Sequence, residues 1–570
     1  MGPTARVVDH IVAELARTGV DRIFGVGGAN IEDLYDAVHS SGGAIHGLVA
    51  KHEFAAATMA DGYARVTGRM GVVAATSGGG AMNLVPGLAE AHASRVPVLA
   101  LVGQPPTGLE GRGAFQDASG KAGTFDAREV FAPVSRFCAT ARTAESLVDL
   151  LPRAIAAARS QPRGPAVLLL PKDVQQAAAP ATVPGRYPAT ADPIDVDALE
   201  RAVAALRAAD RTLIIAGEGV AAEDARAELA ALARRLGAWV AVTPDAKDVY
   251  DNRDSRFVGV AGVMGHPSVM DCLRRADVCL LAGTRLPMLA RGGLDDALAG
   301  TRVISVDPEP PFVPAVAVRG PVRPALHAIA DRLGTGARRC PEHAGPVPLP
   351  APPARGRGTS YAEAVAAVAE ALPEDAHVFI DAGNAAATAI HLLPAPRHGR
   401  FVVAVGMGGM GYAFGAGIGA ALGSGRRTYV LAGDGAFFMH GMEVHTAVEY
   451  DAPVTFVVFN NNAHAMCVTR EQLFYGDTYT YNMFRPAYLA AGMGAAFPTL
   501  DVTRAGNAAQ LRRALLRSNC RRGPAFVSLD FDVREIPPFL PFLAALGLDG
   551  ADRATESKET SDEHQHIHVG

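Results

Sequence analysis

The sequence is poor in aromatic residues, which fill only 6% of its 570 positions, and it holds a single tryptophan, Trp239. Its six cysteines, at positions 138, 272, 279, 340, 467 and 520, are scattered without CxxC spacing. That argues against a disulfide framework or a zinc site and for reduced thiols in a cytoplasmic protein. Charge of one sign is also lacking: 53 Lys and Arg face 58 Asp and Glu, and the signs are interspersed. Such a pattern gives no basic face for nucleic acid. Apolar stretches are cut by Gly, Pro or charge before they could span a bilayer, so no membrane contact is expected. Residues 5–20 read as an amphipathic helix with Val7, Val8, Ile11, Val12 and Leu15 on one face, not as a signal peptide.

What the chain does have is small apolar residues: it is 49% hydrophobic with 61 glycines, which suits helices packed closely on parallel sheets. Short apolar runs alternate with helical patterns: GVVAAT, VPVLALVG and AVLLLP early, TLIIAG, VCLLAG and RVISVD midway, HVFIDAG, RTYVLAG and VTFVVFN late. Strands separated by helices predict parallel sheets covered on both faces. Two stretches rich in Pro and Ala, 175–193 and 341–358, read as linkers. The expected fold class is therefore α/β, with three doubly wound parallel-sheet domains at residues 1–176, 194–340 and 359–545. A polar, disordered tail is expected over 546–570, where His564, His566 and His568 read as part of a frayed end. Sheets of this kind bind ligands beyond the carboxyl ends of their strands. The chemistry should sit just after the apolar runs.

Residues 428–462 bear this out most clearly. A strand ends at Ala432, Gly433-Asp434-Gly435 turns, and a helix is expected to about Tyr450. A second strand follows and ends in Asn460-Asn461-Asn462. If the two strands are neighbours, about 4.8 Å apart, Asp434 and Asn461 can reach one ion. Two hard oxygens leave octahedral positions for a carbonyl, phosphate oxygens and water, as Mg²⁺ prefers. The glycines let backbone approach a diphosphate, whose charge meets the amides at the helix start. Alone, Gly-Asp-Gly is most simply a tight turn. The double asparagine after a second strand makes it a ligand motif.

Gly-Asp-Gly followed by a run ending in Asn-Asn resembles the thiamine diphosphate (ThDP)-binding motif. By that resemblance Asp434, Asn461 and the Ala463 carbonyl bind Mg²⁺, while Gly433, Gly435, Ala436, His464 and Met466 complete the diphosphate side. VGMGGMGYAFGAGIGAAL, residues 405–422, is similar to the family's LGTMG segment, which makes Met410 the wedge that bends the cofactor and the Gly408 carbonyl an acceptor for its amino group. Asn384 stands near the family's phosphate-contacting Gly-Gln-His. KHEFAAATMADGYARVTG, residues 51–68, resembles the family segment whose glutamate activates the cofactor, so Glu53 is implied to share a proton with N1′ of the aminopyrimidine. TSGGGAMN, which brings in Asn83, and the AFQD segment with Phe115 and Gln116 on the substrate side are similar to acetolactate synthase. The resemblance to the acetolactate synthase large-subunit family covers about residues 4–540.

The resemblance implies a ThDP- and Mg²⁺-dependent carboligase. Such an enzyme decarboxylates a 2-oxo acid, pyruvate by analogy, and passes the acyl carbanion equivalent to a carbonyl acceptor. It also implies a homodimer or homotetramer, because in this family the site forms between the first domain of one subunit and the third of another. The central block follows the family's order, but at residues 283–289 the acidic pair next to Arg285 is missing, so FAD is not expected. Arg470 stands where the family has tryptophan, and Arg95 where it has a small residue. Unless they pair with carboxylates such as Glu471 or Asp117, they imply an anionic group on a substrate. A plain 2-oxo acid decarboxylase, an FAD-dependent oxidase and a non-catalytic scaffold are the competing readings. The decarboxylases' adjacent histidines near AFQD are missing here.

Overall fold

The computed structural model describes residues 5–181, 187–352 and 358–548. The tail from 549 onward, with His564, His566 and His568, lies outside the described residues. The amphipathic segment near the start is the helix Val7–Arg17, and the five apolar residues expected on its face are all buried.

Three six-stranded sheets follow one another along the chain. The first contains β1 (Arg22–Gly25), β2 (His46–Val49), β3 (Gly71–Ala75), β4 (Val98–Gln104), β5 (Phe137–Thr140) and β6 (Ala166–Pro171). The second contains β7 (Thr212–Ala216), β8 (Trp239–Val242), β9 (Phe257–Val260), β10 (Val278–Ala282), β11 (Arg302–Asp307) and β12 (Val316–Arg319). The third contains β13 (His377–Ile380), β14 (Phe401–Val403), β15 (Thr428–Gly433), β16 (Val454–Asn460), β17 (Asp501–Ala505) and β18 (Ala525–Asp530). Every pairing between these strands is parallel. The three-sheet α/β architecture expected from the apolar runs is the one observed.

The first sheet runs β2-β1-β3-β4-β6-β5 and the third β14-β13-β15-β16-β18-β17, the same order once each is counted from its own first strand. The middle sheet, β12-β11-β10-β7-β8-β9, has instead the order of a dinucleotide-binding fold. β3, β4, β6 and β16 are buried along their whole length, as near-continuous apolar strands covered on both faces should be.

Two local expectations are corrected. The helix after Gly433 does not run unbroken to Tyr450: it stops at His440, a 3₁₀ turn covers Gly441–Glu443, and a new helix spans Val444–Glu449. The glycine at 441 lets the chain pass beside Phe437, since a Cβ there would lie 2.2 Å from that ring. The stretch from 175 is not wholly irregular either. Its first two residues finish the helix Lys172–Gln176, where Gln175 is buried and donates to the carbonyls of Asn30 and Leu170.

The outer blocks meet along two helices, Glu53–Thr67 and Tyr412–Ser424. Both are rich in Ala and Gly, so their backbones nearly touch. A Cβ added at Gly62 would lie 2.0 Å from the Ala416 carbonyl oxygen, and one at Gly419 2.0 Å from that of Met59. A methyl group there has nowhere to go, and overpacking of this sort costs about 1–3 kcal/mol or more.

Candidate active site

The third sheet's order reverses between β13 and β15, and the carboxyl ends of these strands open onto a cavity of about 240 Å³. Sheet geometry puts ligands at such a switch point. β13 delivers Gly383 and Asn384, β15 delivers Gly433, Asp434, Gly435 and Ala436, and the loop and helix after β16 deliver Asn461, Ala463, His464, Met466 and Arg470. Gly408 and Met410 close another side from the glycine-rich loop, and Tyr361 reaches in from the helix Tyr361–Ala371. β15 and β16 are direct neighbours, paired from Thr428↔Val454 to Gly433↔Phe459, so the condition for bringing Asp434 and Asn461 together is met.

Hydrogen bonding shows what this cavity could hold. Asp434 Oδ2 accepts the Ala463 N–H at 3.2 Å, but Oδ1 is buried without a partner. Asn461 Nδ2 donates to the Tyr361 hydroxyl at 3.0 Å, leaving its Oδ1 unpaired, and Asn384 Nδ2 donates to Thr469 Oγ1 at 3.2 Å, leaving its Oδ1 unpaired. Each orphaned buried oxygen costs about 1–3 kcal/mol. The pair on Asp434 and Asn461 fits a ligand that brings a cation. Burial pushes the Asp434 carboxyl up to about 6, against the lowering effect of the N–H groups of Ala463, Asn461 and Asn462. A bound divalent ion would hold it ionised. Among the described residues no three His, Cys, Asp or Glu side chains cluster to hold a metal, so an ion here would rest on mixed carboxylate, amide and carbonyl oxygens. Gly435 has to be glycine, since a Cβ there would lie 2.5 Å from His464 Nδ1 and 3.1 Å from Met410 Cε.

Glu53, Asn83 and Gln116 form a second group, beyond β3 of the first sheet, with Phe115 next to Gln116 in the chain. Glu53 opens its helix behind His52, whose Nδ1 caps it by accepting the Phe54 N–H at 3.1 Å. Asn83 Nδ2 donates to Glu53 Oε2 at 3.0 Å. Gln116 sits at φ 59° and its Oε1 accepts from Thr76 Oγ1 at 3.3 Å. Phe115 is neither core nor covered, being 75% exposed. None of these four lines the cavity of the third block.

Two arginines expected to behave alike do not. Arg95 takes the ion-paired alternative, though with other carboxylates than the two named above: its guanidinium bonds Asp307 at 2.8 Å and Glu309 at 2.8 Å in the central block. Arg470 lines the cavity and makes no hydrogen bond or ion pair among the described residues, while Glu471 is engaged by Asn482. Arg285 lies over the Phe312 ring at 4.1 Å and donates to the Pro310 carbonyl at 2.9 Å.

Sequence reasoning overlooked several residues that build the site. Asp381 Oδ1 accepts from Gly411 N–H at 2.9 Å and Oδ2 from Ala413 N–H at 2.9 Å, tying the glycine-rich loop to the end of β13. Its burial, an aspartate closing an apolar strand, was the available signal. Glu443 Oε1 accepts the Lys51 N–H at 3.0 Å and so steadies the approach to Glu53 from the third block. Tyr361, which holds Asn461, gave no signal in its own segment.

Three family models cover the chain: the thiamine pyrophosphate enzyme N-terminal TPP binding domain over residues 5–122, the central domain over 199–329 and the C-terminal TPP binding domain over 381–529. The acetolactate synthase large subunit of Parasynechococcus marenigrum is 30% identical over 498 residues, which span 82% of this chain and 78% of that protein. The chain belongs to the thiamine pyrophosphate enzymes. Isozyme 1 of the acetolactate synthase large subunit from Escherichia coli is 27% identical over 555 residues, 94% of this chain and 95% of that one. In fold, the benzoylformate decarboxylase of Polynucleobacter necessarius superposes with a TM-score of 0.81 at 19% identity, covering 94% of this chain and all of that one. This thiamine pyrophosphate enzyme is thus of the acetolactate synthase-like kind, and its cofactor is ThDP. No helix among the described residues is long and apolar enough to cross a membrane.

Proposed function

We propose that the protein is a Mg²⁺-dependent carboligase that decarboxylates a 2-oxo acid, pyruvate in the simplest case, and joins the acyl unit to a second carbonyl compound. The observation that carries the cofactor site is the pair of unpaired buried oxygens on Asp434 and Asn461 at one cavity, which a cation would satisfy. In this reading Asp434, Asn461 and the Ala463 carbonyl hold Mg²⁺. Gly433, Gly435, Ala436 and Asn384 face the diphosphate, with His464 and Met466 beside it, and Gly408 and Met410 shape the thiazolium end. Bound ThDP supplies the carbon nucleophile for the 2-oxo carbonyl and a sink for the electron pair left when CO₂ departs. Glu53 holds a proton at its carboxylate and shares it with N1′ of the aminopyrimidine, with Asn83 fixing Oε2 for that exchange. Phe115 and Gln116 face the substrate.

Glu53 and the cavity belong to different groups within one chain, and Phe115 is left bare. A second copy that brings its first block over the third block's cavity would join the halves, so the working unit is a homodimer or a tetramer built from it. Domain limits of 1–176, 194–340 and 359–545 go with this reading, as does a cytoplasmic location. Arg470, exposed and unpaired at the cavity, is free to take a carboxylate or phosphate on an acceptor in the fork geometry a guanidinium offers. The test is mass spectrometry of products formed from pyruvate with a panel of aldehydes and 2-oxo acids, with ThDP and Mg²⁺ present. New carbon–carbon bonded products support the reading. Release of free aldehyde alone replaces it with a simple decarboxylase.

A further inference from the structure

Glu90 lies on the helix Gly79–Ala93 of the first block, 2% exposed, yet its carboxylate is spent on the third block. Oε2 accepts the Met407 N–H at 2.6 Å and Oε1 the Gly406 N–H at 3.2 Å, while Ser94 Oγ donates to Oε1 at 2.7 Å. Arg65 stands 4.0 Å away and bonds Asp61 at 2.7 Å, and Asp61 takes the Tyr412 hydroxyl. Residues 406–412 are therefore gripped at both ends. Glu90 holds 406 and 407, while Asp381 and Asp61 hold 411 to 413. Between the grips, at φ 66° on Gly408, the chain turns to present Gly408 and Met410 to the cavity. The fit at Gly406 is closed to any side chain, since a Cβ would lie 2.9 Å from Glu90 Oε1 and 2.7 Å from Ala93 Cβ.

The geometry points to Glu90 as a positioning residue for the cofactor loop: by taking two successive N–H groups it fixes the shape in which Gly408 and Met410 meet the ligand. This rests on the ThDP reading of the cavity. Two N–H groups on one buried carboxylate are charge-assisted bonds, stronger and more directional than neutral ones. An amide in the same place can accept with its oxygen only, so Glu90→Gln keeps one grip and Glu90→Ala none. A purely packing role would be shared by Leu88 on the same helix, which is fully buried and has no polar group to offer the loop.

The experiment compares Glu90→Ala, Glu90→Gln and Leu88→Ala by hydrogen–deuterium exchange of the peptide over residues 404–411, without cofactor, and by calorimetric titration of ThDP in the presence of Mg²⁺. Expected for Glu90→Ala are exchange at Gly406 and Met407 at least tenfold faster and ThDP affinity about tenfold weaker, with Glu90→Gln intermediate on both. Leu88→Ala should lower the melting temperature while leaving loop exchange within twofold of the parent. If Glu90→Ala proves unfolded, the ordering of parent, Glu90→Gln and Leu88→Ala decides alone. Unchanged loop exchange in the Glu90 variants, or equal acceleration in Leu88→Ala, overturns the proposal. Loss of loop protection with no ThDP binding even by the parent protein would leave the grip standing and remove the cofactor reading instead.

Discussion

The first and third sheets have one strand order and put their functional groups at equivalent strand ends, yet they offer a ligand different things. The third block offers a walled cavity whose buried oxygens are already in place and unpaired. The first offers an open group: Glu53 half-buried, Asn83 exposed and Phe115 bare. Topology sets where on a sheet chemistry can happen. Burial and hydrogen bonding decide whether the place binds an ion or shares a proton. A prepaid cavity suits the charged anchor of a cofactor, where misplaced charge is costly. A carboxylate that must exchange a proton is better left half-wet, closed only when its counterpart arrives.

The contrast can be broken most sharply at Glu53. Glu53→Gln should lower kcat by about 10²- to 10⁴-fold, the usual worth of a positioned acid or base, while ThDP still binds. Deuterium exchange at C2 of bound ThDP is the readout, and exchange as fast as in the parent would take the proton-sharing role from the first block. On the third block's side, Asp434→Ala should weaken Mg²⁺-dependent ThDP binding by more than the roughly 10–100-fold that loss of an outer-shell partner costs. Calorimetry showing unchanged affinity would mean that the orphaned oxygens serve something else. Tyr361→Phe, which removes the hydroxyl that Asn461 donates to, should fall within that smaller range.

A finer cut separates the two arginines. Arg470→Leu should lower the ratio of kcat/KM for a carboxylate-bearing acceptor to that for a neutral one of equal size by about tenfold, the loss of one charge-assisted contact. Competition between succinic semialdehyde and butanal measures it, and an unaltered ratio would make Arg470 a bystander. Smallest is the support that the central block lends the third. Lys247 is buried and donates to the Ile390 carbonyl at 2.6 Å, at the far end of the helix that begins at Asn384. Burial pushes its ammonium down to about 7. Between that value and the unfolded one near 10.4 the unfolded chain binds more protons, so stability rises with pH across this window, by at most about 1.4 kcal/mol per pH unit. Urea unfolding at pH 7.5 and 9.5 should show the rise in the parent and a flatter response in Lys247→Met.

Much of this was legible from sequence, for a physical reason in each case. The strands singled out by their apolar runs, such as β4, β10 and β16, are interior ones, buried on both faces. All six sheet edges went unremarked. β17, DVTRA, is half-solvated and mostly polar, and β2 buries one residue of four. These two edges have no apolar run to betray them, while the edges β9 and β14 are buried runs of only four and three residues. The residues proposed to hold an ion could be singled out together because Gly433 to Ala463 is one βαβ unit with the loop that leaves it. What could not be read were pairings across the chain. Nothing in the vicinity of Glu90 indicates that it grips a loop 316 residues away, and nothing near Arg95 or Arg470 says which one meets a carboxylate.

The glycine seam between the helices Glu53–Thr67 and Tyr412–Ser424 works as a weld. Glu53 sits at the first turn of one helix, and the loop carrying Met410 runs directly into the other. With backbone against backbone at Gly62 and Gly419, neither helix can roll or slide without lifting off entirely. In the dimer proposed above, the angle between Glu53 and the cavity of the same chain would thus be set inside each copy before any two copies meet. Gly62→Ala would act at a distance, shifting Glu53 and the loop carrying Met410 together through a joint that includes neither residue.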